Sequence, residues 1–349
     1  ERAGAVTLDK VRLEPPVNRP ADATEDMGTV ARFAPPVPVW PVFLDLPLMR
    51  GDEVAHAPHL AVTATPWSGA AAVWSSDRAE GGFALNRTLP ERAVMGVTES
   101  PLYAARAGAV DRGAPLRLRL KGGALASASW DEVLAGANLI AVGDGSPEGW
   151  ELIQFAQAVP VSPGLWEIGE RLRGQAGTDA LMPEVWPKGS VVVVLDGAPK
   201  QVDLPPSARG LVRHWRIGPA ARPPEDGSYS EIALAFRGAG LRPYAPCHLR
   251  VDAHGRATWV RRTRIGGDGW DGADVPLGED REQYHLRLMR GGDLLFEAIT
   301  GVSHFEVPAT AWAKARAGGA FRVEVAQLSD AFGAGLYTKC NIEGSNPDE

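Results

Sequence analysis

Leu116-Arg117-Leu118-Arg119-Leu120-Lys121, followed at once by Gly122-Gly123, alternates apolar and basic residues without a break. A period of two is the repeat of a strand, so Leu116, Leu118 and Leu120 are expected to line a core and the three cations to face water. The two glycines then turn the chain. The same grammar runs outward in both directions. Upstream, β-type runs at 59–65 and 72–75 are separated by Pro66-Trp67-Ser68-Gly69, and Glu80-Gly81-Gly82 closes the second. Downstream, Ser129 with Glu132 three residues on is a capping box, and Gly136 supplies a stop, which predicts one short helix over 130–135. Further strands are expected at 139–142, 150–159, 165–172, 190–195, 211–217 and 230–236, with Gly143-Asp144-Gly145-Ser146-Pro147-Glu148-Gly149 as a hairpin loop. Short strands broken by turn residues predict a mainly β, multi-domain chain of sandwich and barrel units rather than alternating strands and helices.

A length of 349 residues suits two or three domains. Residues 1–50 are rich in Pro, which fixes φ and removes a ladder donor, so they read as a strap with edge strands. Residues 51–115 and 116–227 read as two β domains, 228–242 as a linker, 243–342 as a sandwich and 343–349 as a tail. The sandwich rests on seven runs, at 248–251, 257–263, 284–289, 294–299, 304–307, 321–328 and 336–342, the count of a fibronectin-like unit. Trp259 is its expected core plug, Tyr284, Leu286 and Leu288 share one face, and 309–317 is a helical turn in a crossover.

Hydrophobic residues at 44% and charged residues at 23% describe a folded globular chain. Lys plus Arg number 36 against 43 Asp plus Glu, so 36 − 43 = −7. That sign opposes binding by phosphate neutralisation, and no nucleic-acid partner is expected. The strongest apolar run, Val191-Val192-Val193-Val194-Leu195, ends at Asp196-Gly197, far short of the ~20 residues of a membrane span. It reads as a buried strand. Glu1 stands where an initiator Met would, with no basic and apolar leader behind it, so the chain is expected to be a fragment or processed product. Two cysteines, Cys247 and Cys340, are too few for a disulfide framework or a zinc site. Whether they pair stays open.

Candidate chemistry is thin. The 143–149 loop lacks the third glycine of a dinucleotide fingerprint, and no phosphate loop or esterase elbow occurs. Glu167, Glu170, Asp179 and Glu184 offer carboxylates for glycoside cleavage, yet a spacing of three within a strand sends Glu167 and Glu170 to opposite faces. His56 and His59, beside Asp52 and Glu53, have a helical metal spacing that Pro58 breaks, so both are placed in a solvated loop. His254, His285 and His304 stand singly among strands. One loop gathers Asp268, Trp270, Asp271 and Asp274, which could meet a receptor or glycan through carboxylates and an indole face. No catalytic residue, metal or cofactor is assigned.

Four phrases then carry a resemblance: Leu120-Lys121-Gly122-Gly123-Ala124-Leu125-Ala126-Ser127, Leu134-Ala135-Gly136-Ala137-Asn138, Gly149-Trp150-Glu151-Leu152-Ile153-Gln154-Phe155 and Leu172-Arg173-Gly174-Gln175-Ala176-Gly177-Thr178-Asp179. With Leu241-Arg242-Pro243-Tyr244-Ala245-Pro246, Trp259-Val260-Arg261-Arg262-Thr263-Arg264 and Val275-Pro276-Leu277-Gly278-Glu279, they resemble the C-terminal region of the large tail-tip protein of alphaproteobacterial gene transfer agents. These are phage-derived particles that carry bacterial DNA between cells. The resemblance spans roughly residues 50–342. It implies a tail-tip or baseplate component of the virion, a trimer about the tail axis, neighbouring baseplate subunits as partners, and roles in cell-surface attachment and DNA passage. A glycoside-hydrolase-like barrel belongs to that family upstream, but no repeated strand-helix alternation occurs here, so a hydrolase activity is not carried over. Phe321 stands where the sandwich often has a corner tyrosine.

Overall fold

The computed structural model describes residues 37–267 and 274–344. It is mainly β, built from several sheets. Six strands close a barrel in the order Trp150–Ser162, Leu139–Gly143, Val191–Val194, Met95–Thr98, Leu116–Lys121 and Leu165–Leu172, and the last pairs back with the first. The alternating leucines do what their spacing predicts. Leu116, Leu118 and Leu120 point inward with Ile140, Val142, Ile153, Phe155 and Val192, while Arg117, Arg119 and Lys121 are exposed. The capping box forms as expected, with Ser129 and Glu132 bonding reciprocally at the start of the Trp130–Leu134 helix.

The valine run is apolar on consecutive residues because both faces of its strand are covered. Val192 enters the barrel, whereas Val193 joins Ala141, Leu152, Trp150 and Met95 on the outside wall. That wall packs on Val42, Leu44 and Ala61 of a three-stranded sheet made by Trp40–Leu44, His59–Thr63 and Lys200–Gln201. The opposite face of the same sheet sends Phe43, Leu60 and Val62 into a second core with Val73, Trp215, Ile217 and Phe236. Trp40–Leu44 is an edge strand, which is why it tolerates Pro41.

Two expected boundaries fall elsewhere. Met95–Thr98 pairs with Leu116–Lys121, so the barrel crosses the 115/116 division, and chain from both sides of the barrel, 37–89 and 200–236, builds the other core. Ser230–Leu234 pairs along its whole length with Arg213–Pro219, so the connection to the last domain begins after that strand and not at residue 228. Gly96 explains why the first barrel strand is inconspicuous. A Cβ there would sit 1.8 Å from the Arg119 carbonyl oxygen, so the close strand approach demands a residue without a side chain.

The final domain is a sandwich. One sheet orders Cys247–Val251, Arg256–Val260 and His304–Glu306, and the other orders Asp293–Thr300, Tyr284–Arg290, Phe321–Ser329 and Thr338–Ile342. Trp259 plugs the space between them, edge-on to Tyr284 at 5.2 Å. Phe321, in place of a corner tyrosine, packs edge-on at 5.3 Å against Trp312 of the crossover helix Ala309–Ala317. Both cysteines are half-buried thiols, on the first and last strands of the sandwich. No helix among the described residues is long and apolar enough to cross a membrane.

Candidate functional site

The residues that converge most tightly lie where the barrel meets the sandwich. After the barrel strand Leu165–Leu172 the chain makes a tight turn with three left-handed residues, Gly174, Ala176 and Gly177. Gly177 is fixed by packing as well as by its φ of +76°, because a Cβ there would lie 2.3 Å from the Tyr244 ring. The turn ends at Asp179, whose two carboxylate oxygens accept from Arg262 Nη1 at 2.8 and 3.0 Å. Arg262 also lies over the Tyr244 ring at 5.3 Å. Next to it, Arg264 donates to Glu279 at 2.9 Å and to the Gly240 carbonyl at 3.1 Å. The connecting segment is held from the other side, where buried Asp45 accepts from the Gly238 and Ala239 amides at 2.8 and 2.7 Å. Burial raises the Asp45 carboxyl above its usual value despite those two donors.

Beneath the turn lies an ionic network with almost no water contact. Glu151 takes a forked pair of bonds from Arg173, Nε at 2.7 Å and Nη2 at 2.9 Å, plus Trp186 Nε1 at 2.7 Å and the Gly174 amide at 3.2 Å. Arg173 Nη1 reaches the Tyr103 carbonyl at 2.7 Å and Asp111 at 3.5 Å, and Asp111 also receives Arg171 Nη2 at 2.9 Å. Burial alone would raise the Asp111 carboxyl, but the Arg171 bond, the Gly113 amide and the two guanidinium charges hold it below the usual range. Two anions and two cations are thus matched inside the protein, each with hydrogen bonds to spare, which is the condition for keeping buried charge.

A cleft of ≈ 1190 Å³ opens beside this joint, bordered by Leu48, Leu134, Gln154, Ala176, Tyr244 and Arg264. Its polar side chains are largely committed to holding the walls. Gln154 donates to the Val133 and Ala137 carbonyls and Asn138 to those of Ala126 and Phe155.

Of the residues singled out in the sequence, Asp268, Trp270 and Asp271 lie outside the described residues. Asp274 is bonded to Arg261 at 2.6 Å, which lowers its carboxyl pKa. Two of the four carboxylates considered for glycoside cleavage go to separate partners, Glu167 to Arg117 across the strand pair and Asp179 to Arg262. His59 corrects the solvated-loop expectation. It begins a strand and is buried, and desolvation lowers its pKa to about 4. His56 bonds the Leu204 carbonyl at 2.9 Å. Among the described residues no group of three or more His, Cys, Asp or Glu is placed to hold a metal. The Glu151 network was missed in the sequence. Its one signal was a carboxylate set between Trp150 and Leu152-Ile153 in an otherwise apolar strand.

The geometry defines a β-barrel module with a sandwich fixed to its end. A family model described as Rcc01698-like, C-terminal, matches residues 93–193, from two residues before the barrel strand Met95–Thr98 to the third valine of Val191–Val194. The matched segment is therefore the barrel itself. No curated protein matches the chain.

Proposed function

We propose that the chain is a structural component of the tail tip of a phage-like gene transfer agent, serving assembly, cell-surface attachment and DNA delivery. The observation that carries this reading is the coincidence of the family match with the closed barrel, together with the way the family-like phrases meet in space. The turn 172–179, the segment 241–246 and Arg262 to Arg264 form one joint. Residues of this kind in a joint favour a part that holds neighbours at a set angle. In this reading the chain stands as a trimer about the tail axis among other baseplate subunits. It assembles in the bacterial cytoplasm and acts outside the cell as part of the particle. It carries out no bond-breaking step.

Gold-labelled antibody against residues 243–342 should mark the distal end of the tail in purified particles. Label at the head-proximal end contradicts the proposal. Purified chain incubated with peptidoglycan should release no sugar or peptide above a boiled control.

A further inference from the structure

The hairpin that joins Trp150–Ser162 to Leu165–Leu172 ends in an apolar tip. From Gln157 to Trp166 the sequence holds no charged residue. The outer edge of Trp150–Ser162 is held by the Ser127 hydroxyl as far as Ala158, whose amide donates to it at 3.0 Å and whose carbonyl accepts from it at 3.2 Å. Beyond that point Val159 is 56% exposed and Val161 47%, with Pro160, Ser162 and Pro163 exposed beside them. The turn is pinned to the neighbouring strand, because the Leu120 amide donates to the Gly164 carbonyl at 2.7 Å and Leu165 lies directly opposite Arg119. The tip is therefore a fixed feature of the barrel's rim.

Cations surround it. Lys121 follows the pinning residue and is exposed. Arg92 lies 3.2 Å from where a Cβ on Gly122 would stand, and its bonds among the described residues go to the Thr63 and Thr65 hydroxyls at 3.0 and 2.9 Å rather than to a carboxylate. Arg119 and Lys188 share Glu99 at 2.6 and 3.1 Å, Arg117 has Glu167, and Lys200 has Glu91. These six cations and three carboxylates leave a local excess of three positive charges on a chain whose net charge is −7. An apolar projection beside such an excess carries both signals of a peripheral membrane contact, carbon to bury and attraction to anionic headgroups. The residue types of the tip favour a lipid layer over an acidic protein. Pro160 and Pro163 bring no N–H, which lowers the cost of leaving water, and the tryptophan, tyrosine and arginine anchors of protein interfaces are missing from its exposed residues. We propose that this hairpin tip dips into the surface of an anionic lipid layer, with Lys121 and Arg92 at the level of the headgroups. The inference stands on the barrel rim and does not depend on the tail-tip reading, so lipid binding can fail while labelling of the particle succeeds, and the reverse.

The probe is a vesicle of equal parts phosphatidylcholine and phosphatidylglycerol. At low salt the full chain should float with it and not with vesicles of phosphatidylcholine alone, and amide exchange should slow over residues 159–164. Lys121→Gln removes one cation and should weaken binding about fivefold, and Val161→Asp should weaken it at least about tenfold. Both positions are exposed, so amide exchange in the barrel strands of each variant should match wild type without vesicles. No flotation, equal flotation with the two vesicles, binding unchanged in Val161→Asp, or protection confined to other segments overturns the proposal. So does polyglutamate that protects the tip as well as the vesicles do, since that would make the partner an acidic polypeptide.

Discussion

Replacing Glu151 by Gln removes one charge from the buried network and almost no volume. The side chain is fully buried and accepts four hydrogen bonds, two from Arg173 and one each from Trp186 and Gly174. In the variant the amide NH2 faces donors it cannot bond. Arg173 is left with Asp111 at 3.5 Å as its nearest counter-charge. Breaking a buried pair by removing one partner costs about 3–5 kcal/mol. For a domain of this size that corresponds to a fall in Tm of roughly 6–20 °C, at ~2–4 °C per kcal/mol. Because the chain holds several cores, a single two-state fit is inappropriate, and the loss should be read as faster amide exchange in Trp150–Ser162 and Leu165–Leu172 beside calorimetry. The double variant Glu151→Leu, Arg173→Met should recover most of the loss, since it removes both charges and keeps the volume. A Glu151→Gln variant within about 1 kcal/mol of wild type would refute the reasoning, because a pair that can be broken so cheaply is not desolvated.

His59 supplies a pH test. Its folded pKa, near 4 against 6.5 for the free side chain, means the fold prefers the neutral ring, so its stabilising contribution is complete above pH 6.5 and is lost as pH falls toward 4. The span is worth on the order of 3 kcal/mol, and wild type minus His59→Phe in urea melts at each pH should show it; a flat difference between pH 7 and 4 argues against burial of the ring. Gly177→Ala should cost at least about 2 kcal/mol, read as deprotected amides around Tyr244, since both the positive φ and the tyrosine ring oppose a methyl. Leu118→Ala in the barrel should cost about 2–5 kcal/mol in denaturant melts, and its neighbour Arg119→Ala less than about 1, reversing which would put the leucines outside. Arg262→Ala should change overall stability by under about 1 kcal/mol because the pair with Asp179 is part-exposed, yet should speed tryptic cleavage after Arg237 and Arg242 by freeing the connection.

Much of the fold was legible because its signals are local. Alternation at 116–121, the Ser129–Glu132 capping box and the seven runs of the sandwich each lie within one short window. What escaped was non-local. Met95–Thr98 has four residues and a glycine that its neighbour's backbone requires, and nothing in that window announces pairing with Leu116–Lys121. Lys200–Gln201 returns to the first sheet with two residues, so the discontinuous domain around the barrel had no sequence mark. The ionic network joins Asp111, Glu151, Arg171 and Arg173, which only the barrel's curvature brings together. For His59 two local signals conflict, since Pro58 breaks a helical pair with His56 while the β-type run 59–65 begins at the histidine itself, and the run is what buries the ring.

A density map of intact particles, even at modest resolution, tests the central claim most directly, because it reports both where the module sits and whether its joint is fixed. The account predicts three copies around the axis at the distal end of the tail, each with the sandwich held at one angle to its barrel through the Asp179–Arg262 joint. Copies lying near the head, or sandwiches smeared over many orientations while the barrels stay sharp, would contradict it.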